Sequence, residues 1–277
     1  MTAQTPPPFD PAFDDCRWTD AWTRLPIIQV TPGSYGSFTV KSWEITRADV
    51  CGQQVVLSTP LSVRGLVMDD GTLWMSDVPQ ERLMMLNNAQ ASRGRVLVGG
   101  LGLGLYPQYA LPYVESLRIV ERETAVCRLV EPIVRMAAAP HGVELVVVVD
   151  DVDAVLCAPP TTRYDTIFLD IWDKLDAAHL PAINLLRDRA LAHLTPGGRV
   201  LLWGYRWMVR LFEQACERLL SVDPAARSHW LEDMTAERPA VRALLLPVVE
   251  RFAERPVDDN DAALGWCREY AVRVTPG

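Results

Sequence analysis

The chain has 277 residues, 49% of them hydrophobic, and a formal net charge of -8. That is enough apolar material for one large domain, or one large and one small, without staples or metal, and it excludes a disordered or fibrous chain. The acidic balance argues against a general nucleic-acid or lipid-surface binder, whose phosphates such a surface would repel.

The first thirty residues carry little periodicity. Pro6, Pro7, Pro8 and Pro11 read as a loose arm, without the basic-then-apolar pattern of a signal segment. The six cysteines (Cys16, Cys51, Cys127, Cys157, Cys216 and Cys267) are dispersed, with no C-x-x-C pair and no histidine at metal-ligand spacing. Free thiols are expected, with neither zinc ligation nor a disulfide framework. No uncharged apolar run reaches the roughly 18 residues of a membrane span. A soluble protein in a reducing, cytoplasmic setting is the economical expectation.

From Ile27 to about Asp77 the sequence reads as short strands: Ser37 to Ile45, Gln53 to Leu57, then a pair at Arg64 to Met68 and Thr72 to Met75. Asp69-Asp70-Gly71 joins that pair as a hairpin, because glycine tolerates positive φ. A helix should follow towards Ser92, capped by Asp77, with Pro79 in its first turn and Glu81 at the positive end of its dipole.

Beyond Arg93 strands and helices alternate. Strands are predicted at Arg95 to Val98, Leu117 to Val120, Val143 to Val149, Asp165 to Leu169 and Arg199 to Trp203. Helices are predicted at Thr124 to Ala139, broken or kinked by Pro132, and at Ala177 to Leu194, Val209 to Leu220 and Ala240 to Phe252. Glu269 to Val274 reads as a final edge strand. Near-continuous apolar strands between helices mean a parallel sheet covered on both faces. The expected fold is thus α/β, a doubly wound, mostly parallel, Rossmann-like sheet over residues 93–277. Residues 1–92 supply an arm, a small β-rich domain and a linking helix.

In such a sheet, ligands bind beyond the carboxyl ends of the strands, where the connections diverge. Four features lie there: the turn holding Gly99, Gly100, Gly102 and Gly104, then Glu121, then Asp150-Asp151, then Asp170-Ile171-Trp172-Asp173. Glycines let a cofactor approach the backbone closely. Leu105 and Pro107 break the dinucleotide spacing, and no Gly-Lys-Ser/Thr follows, so neither NAD nor ATP is favoured. Glu121 is placed to accept both hydroxyls of a ribose, against the plainer role of a solvated surface carboxylate. Asp150 or Asp151 can accept from an adenine amino group or cap the helix near Val152. Trp172 can stack on a planar substrate or simply pack.

These segments resemble the S-adenosylmethionine-dependent methyltransferase fold, in particular its spermidine synthase branch. The resemblance rests on Val96-Leu97-Val98-Gly99-Gly100-Leu101-Gly102-Leu103-Gly104, Val120-Glu121, Tyr164 to Asp170 with Asp173, Leu194 to Leu201, and the hairpin Leu66 to Gly71. It implies that Glu121 holds the ribose, Asp150 or Asp151 the adenine, and the glycine turn the methionine-like part of S-adenosylmethionine or its decarboxylated form. Asp170 and Asp173 would orient and deprotonate the acceptor. Gly102 stands where the spermidine synthases carry an aspartate, and Ile171-Trp172 where they carry small polar residues. The leading expectation is therefore a methyltransferase acting on a small molecule or peptide. Aminopropyl transfer and a non-catalytic adenosyl-binding module are the alternatives. Fold-level analogy alone points to a homodimer.

Overall fold

The computed structural model describes residues 7–27, 29–252 and 260–276, so the first six residues of the proline-rich arm lie outside it. The chain forms two compact units, residues 1–173 with 187–204, and residues 174–186 with 205–277.

The first unit opens with a four-stranded antiparallel sheet in sequence order: β1 (Gly33–Ser34), β2 (Phe38–Val50), β3 (Gln53–Met68) and β4 (Leu73–Ser76). The two short strands expected over 37–45 and 53–57 belong to one long β2–β3 hairpin, irregular between Ile45 and Arg47 and turning at Cys51-Gly52. The β3–β4 turn forms as anticipated, with Gly71 at φ 86° and the Thr72 amide donating to Asp70 Oδ1 at 2.8 Å. Trp22, Val50 and Leu83 form a small core under this sheet.

Two expectations for this region are corrected. Cys16 and Cys51 are joined as a disulfide, with their Cα atoms 5.5 Å apart. The bond ties the arm to the β2–β3 turn across a separation of 35 residues, a proximity that spacing cannot reveal, and it removes one ground for the reducing setting. Asp77 does not cap the next helix, α1 (Pro79–Ala91), whose N-cap is Val78. Instead the buried Asp77 carboxylate accepts from the Arg64 amide at 2.6 Å and pairs with the buried Arg82 at 3.3 Å, bracing β3 against α1.

The alternating segment follows: β5 (Gly94–Gly99), α2 (Leu105–Ala110), β6 (Val114–Glu121), α3 (Thr124–Ala138), β7 (Glu144–Val149), α4 (Val152–Cys157), β8 (Tyr164–Leu169), α5 (Leu180–Leu191) and β9 (Leu194–Leu202). Its five strands lie in the order β7-β6-β5-β8-β9, every neighbouring pair parallel. This is a doubly wound, Rossmann-like arrangement. The chain steps outward from β5 to β6 and β7, then returns past β5 to build β8 and β9. The switch point falls beside β5. Helix α3 continues through Pro132, which sits on its exposed side. Its buried stripe, Val126, Val130, Val134 and Ala138, holds the helical period. The Pro196-Gly197-Gly198 stretch lies inside β9, where the pairing jumps from Tyr164↔Leu194 to Thr166↔Arg199.

The second unit contains α6 (Tyr205–Ser221), α7 (Arg227–Met234), α8 (Pro239–Arg251) and α9 (Asn260–Arg273). The edge strand expected at Glu269 to Val274 is helix instead. Ala263, Cys267 and Ala271 recur every four residues and are buried, and α9 packs on α6 through that stripe. A window opened at 269 misses the period. No helix among the described residues is long and apolar enough to cross a membrane.

Candidate functional site

The carboxyl ends of β5 to β8 are stitched together by backbone hydrogen bonds. Gly100 N–H donates to Val120 O and Asp170 N–H to Gly99 O, each at 2.9 Å, while Asp150 N–H donates to Glu121 O at 3.1 Å. The glycine turn leaves β5 with Gly100, Gly102 and Gly104 at φ 95°, 49° and 75°. These values favour glycine, and a Cβ at position 100 would overlap the carbonyl oxygen of Asp170. Beneath the turn, Tyr106 of α2 stacks on Phe168 of β8 with centroids 3.8 Å apart, and its hydroxyl meets Ser92 Oγ at 2.7 Å.

A cleft of about 90 Å³ opens above these strand ends. It is lined by Val120, Glu121, Arg122, Asp150, Asp151 and Val152 at the ends of β6 and β7, by Gly100, Gly102, Asp170, Ile171 and Trp172 beyond β5 and β8, and by Trp74 and Met75 of β4. The fold thus brings together Gly100, Gly102, Glu121, Asp150, Asp151, Asp170 and Trp172, all marked from sequence. Asp173 is exposed and does not line the cleft. Gly99 closes β5 behind it, and a Cβ there would crowd Leu169 and Val152. Gly104 starts α2.

Glu121 is buried, and each of its oxygens accepts a backbone amide at 2.8 Å, one from Leu101 in the glycine turn and one from Glu123. It therefore fixes the turn that it faces. Each carboxylate oxygen keeps the capacity to accept a further hydrogen bond. Asp151 caps α4, its Oδ1 accepting from Asp153 N–H at 2.9 Å, while Asp150 Oδ1 accepts from the amide of Asp151 at 2.8 Å. Both remain exposed at the cleft edge. Trp172 is buried and tilted against Trp203, its ring centroid 6.5 Å away, and its indole Nε1 is enclosed without a hydrogen-bond partner.

Burial pushes the Asp170 carboxyl up to about 8, and the charges of Asp15 and Glu121 add to the effect. Asp15, from the arm, is itself buried and raised to about 7, although it accepts from Gly204 N–H at 2.7 Å and Asn88 Nδ2 at 3.1 Å. Glu81, in the first turn of α1, is raised by burial and by the charges of Asp170 and Asp15. Three carboxyl groups of raised pKa therefore influence one another near the carboxyl end of β8.

Sequence reasoning missed Asp15, Glu81 and Met75 in this setting. Asp15 lies in an aperiodic arm, and Glu81 carries an ordinary helix-start signature. Met75 reads as a plain strand residue, yet its Sδ accepts the Leu103 amide of the glycine turn at 2.8 Å. The turn is therefore not open along its whole length: a Cβ at position 102 would overlap Met75 Sδ and come within 2.8 Å of its Cε.

A scan of known protein families finds no family model that matches the chain, and no curated protein matches it either. Solved structures do. The precorrin-8W decarboxylase of Methanobacterium thermoautotrophicum is 17% identical over 44% of this chain and 61% of its own, with a TM-score of 0.32. The carboxyl-terminal domain of precorrin-6Y C5,15-methyltransferase from Rhodobacter capsulatus is 16% identical over 50% of this chain and 70% of its own, at 0.35. An S-adenosylmethionine-dependent methyltransferase from Clostridium acetobutylicum is 14% identical over 40% and 42%, at 0.31. The chain thus spans less than two thirds of two of these three proteins. Likenesses this weak carry no weight beside the strand order, which defines the class of fold by itself.

Proposed function

We propose that the cleft binds S-adenosylmethionine and that the protein transfers its methyl group to a small molecule or peptide steered by Asp170. What supports this is one arrangement. A glycine turn, an acidic residue at the next strand end and a carboxyl at the strand end on the other side share one cleft at the switch point of a parallel sheet. A nucleoside fits the Glu121 and Asp150-Asp151 side, where acceptors for ribose and adenine lie. Whatever extends from its 5′ carbon then runs along Gly100 to Leu103 towards Asp170.

Held by the glycine turn, Glu121 and Asp150-Asp151, the donor would supply a methyl carbon activated by its sulfonium, the C–S bond breaking to a thioether as the acceptor's lone pair forms the new bond. The chain's own part is positioning and proton removal. Asp170, with its pKa raised to about 8, is poised to take the acceptor's proton near neutral pH. The indole of Trp172 forms an apolar wall beside it.

Transfer of an aminopropyl group from decarboxylated S-adenosylmethionine is a second reading, favoured by one observation. The only cation lining the cleft among the described residues is Arg122, beside Glu121, so no basic side chain on the Asp170 side awaits a donor carboxylate.

Calorimetry with both donors decides between them, and transfer assays on Asp170→Asn test the chemistry. The variant is expected to keep donor affinity and lose on the order of 100-fold or more in turnover. Wild-type turnover should climb with pH until Asp170 is ionised, at about 8. Failure of both donors to bind, or an unimpaired Asp170→Asn, would overturn the proposal.

A further inference from the structure

We infer that Met75 selects the ligand by occupying the place of its amino-acid arm; this rests on the adenosyl-binding reading above. Three observations converge on this residue. Its thioether accepts the Leu103 amide at 2.8 Å, so a backbone donor of the glycine turn is spent on one of the weakest acceptors in a protein. Its sulfur and terminal methyl fill the space that a side chain at Gly102 would take. Met75 itself lines the cleft together with Gly100, Gly102 and Asp170.

The obstruction is one-sided. On the Glu121 and Asp150-Asp151 side the lining is Val120, Arg122 and Val152, and Asp150 and Asp151 stand exposed. A nucleoside with a short 5′ substituent therefore enters without disturbing Met75. A ligand carrying the full aminocarboxypropyl arm must first displace the thioether from Leu103 and Gly102. The side chain is suited to that movement, being unbranched, with three rotatable bonds and only a weak hydrogen bond to lose. Its backbone stays fixed, because Met75 pairs with Leu66 in the β3–β4 ladder. Met75 is thus a specificity-determining residue that weakens the binding of long-armed ligands, S-adenosylmethionine among them until the thioether swings aside, and leaves short-armed ones untouched.

The test compares 5′-methylthioadenosine, which lacks the arm, with S-adenosylhomocysteine, which carries it, by calorimetry on the full chain. Met75→Ala removes the obstruction. Met75→Val keeps a residue favoured in strands, but one too short to reach Leu103, should the alanine variant fold poorly. Both variants are expected to bind S-adenosylhomocysteine about tenfold or more tightly than wild type, with 5′-methylthioadenosine changed by less than about twofold. If both ligands bind wild type and variants but gain equally, or neither gains, Met75 is no selector while the adenosyl site stands. If neither nucleoside binds wild type or either variant, the adenosyl-binding reading itself fails and the role of Met75 falls with it.

Discussion

Asp15 offers a direct test of the buried carboxyl cluster, because its effect on stability has a definite sign. The side chain is 2% exposed, and burial raises its pKa from 3.8 to about 7 in the folded chain. Between those values the folded protein holds a proton that the unfolded chain has released. Folding therefore takes up a proton there, and stability must fall as pH rises through the window, levelling off above about 7. The slope for one such group is about 1.4 kcal/mol per pH unit, so raising the pH from about 5 to about 7 costs about 2 kcal/mol. For a unit of this size that is a drop of roughly 4–8 °C in melting temperature. Asp15→Asn keeps the shape and an oxygen to accept from Gly204. Its new amide can be met by Asn88 Oδ1, which has no partner in the folded chain. The variant should lose about 2 kcal/mol of pH dependence relative to wild type. It should also flatten the residual slope, since the Asp15 charge helps raise both Glu81 and Asp170. Thermal or urea unfolding of both proteins across this range measures the difference. Identical pH dependence in the two, or a wild type that gains stability between pH 5 and 7, would refute the burial argument.

Two further outcomes follow from single side chains. Gly100→Ala places a Cβ against the Asp170 carbonyl at φ 95°, so it should cost about 1–3 kcal/mol in backbone strain and abolish nucleoside binding in titrations; unchanged affinity would show that the turn adapts. Arg227, 2% exposed, donates to the carbonyls of Leu220 and Val222 at 3.1 Å each and also to that of Phe252. Arg227→Met leaves those acceptors buried without a donor and should destabilise the second unit by about 2–5 kcal/mol, where a loss below about 1 kcal/mol in denaturant unfolding would contradict this role.

The sequence by itself determined the alternating strands and helices after Arg93, because apolar runs bounded by capping and turn residues are local signals. It also set Gly100, Glu121 and Asp170 at the carboxyl ends of neighbouring strands. A parallel strand must deliver its last residue to the same edge of the sheet as its neighbours, so Gly100, Glu121 and Asp170 had to meet once the order β7-β6-β5-β8-β9 formed. Local signals failed where two explanations shared one pattern. Glu269 to Val274 alternates like a strand, and only its burial against α6 in the stripe Ala263, Cys267, Ala271 makes it helix. Asp77 and Asp151 both stand at helix starts, yet Asp151 caps, while Asp77 is drawn away by Arg64 and Arg82. Tertiary structure alone decided the rest: the Cys16–Cys51 bond, the arrival of Asp15 beside Gly204, and Met75 lying across the glycine turn. Each joins residues about 30 to 190 apart in the chain. Such contacts depend on how elements pack and on the register of β3 and β4, neither of which leaves a periodic trace in the residues themselves.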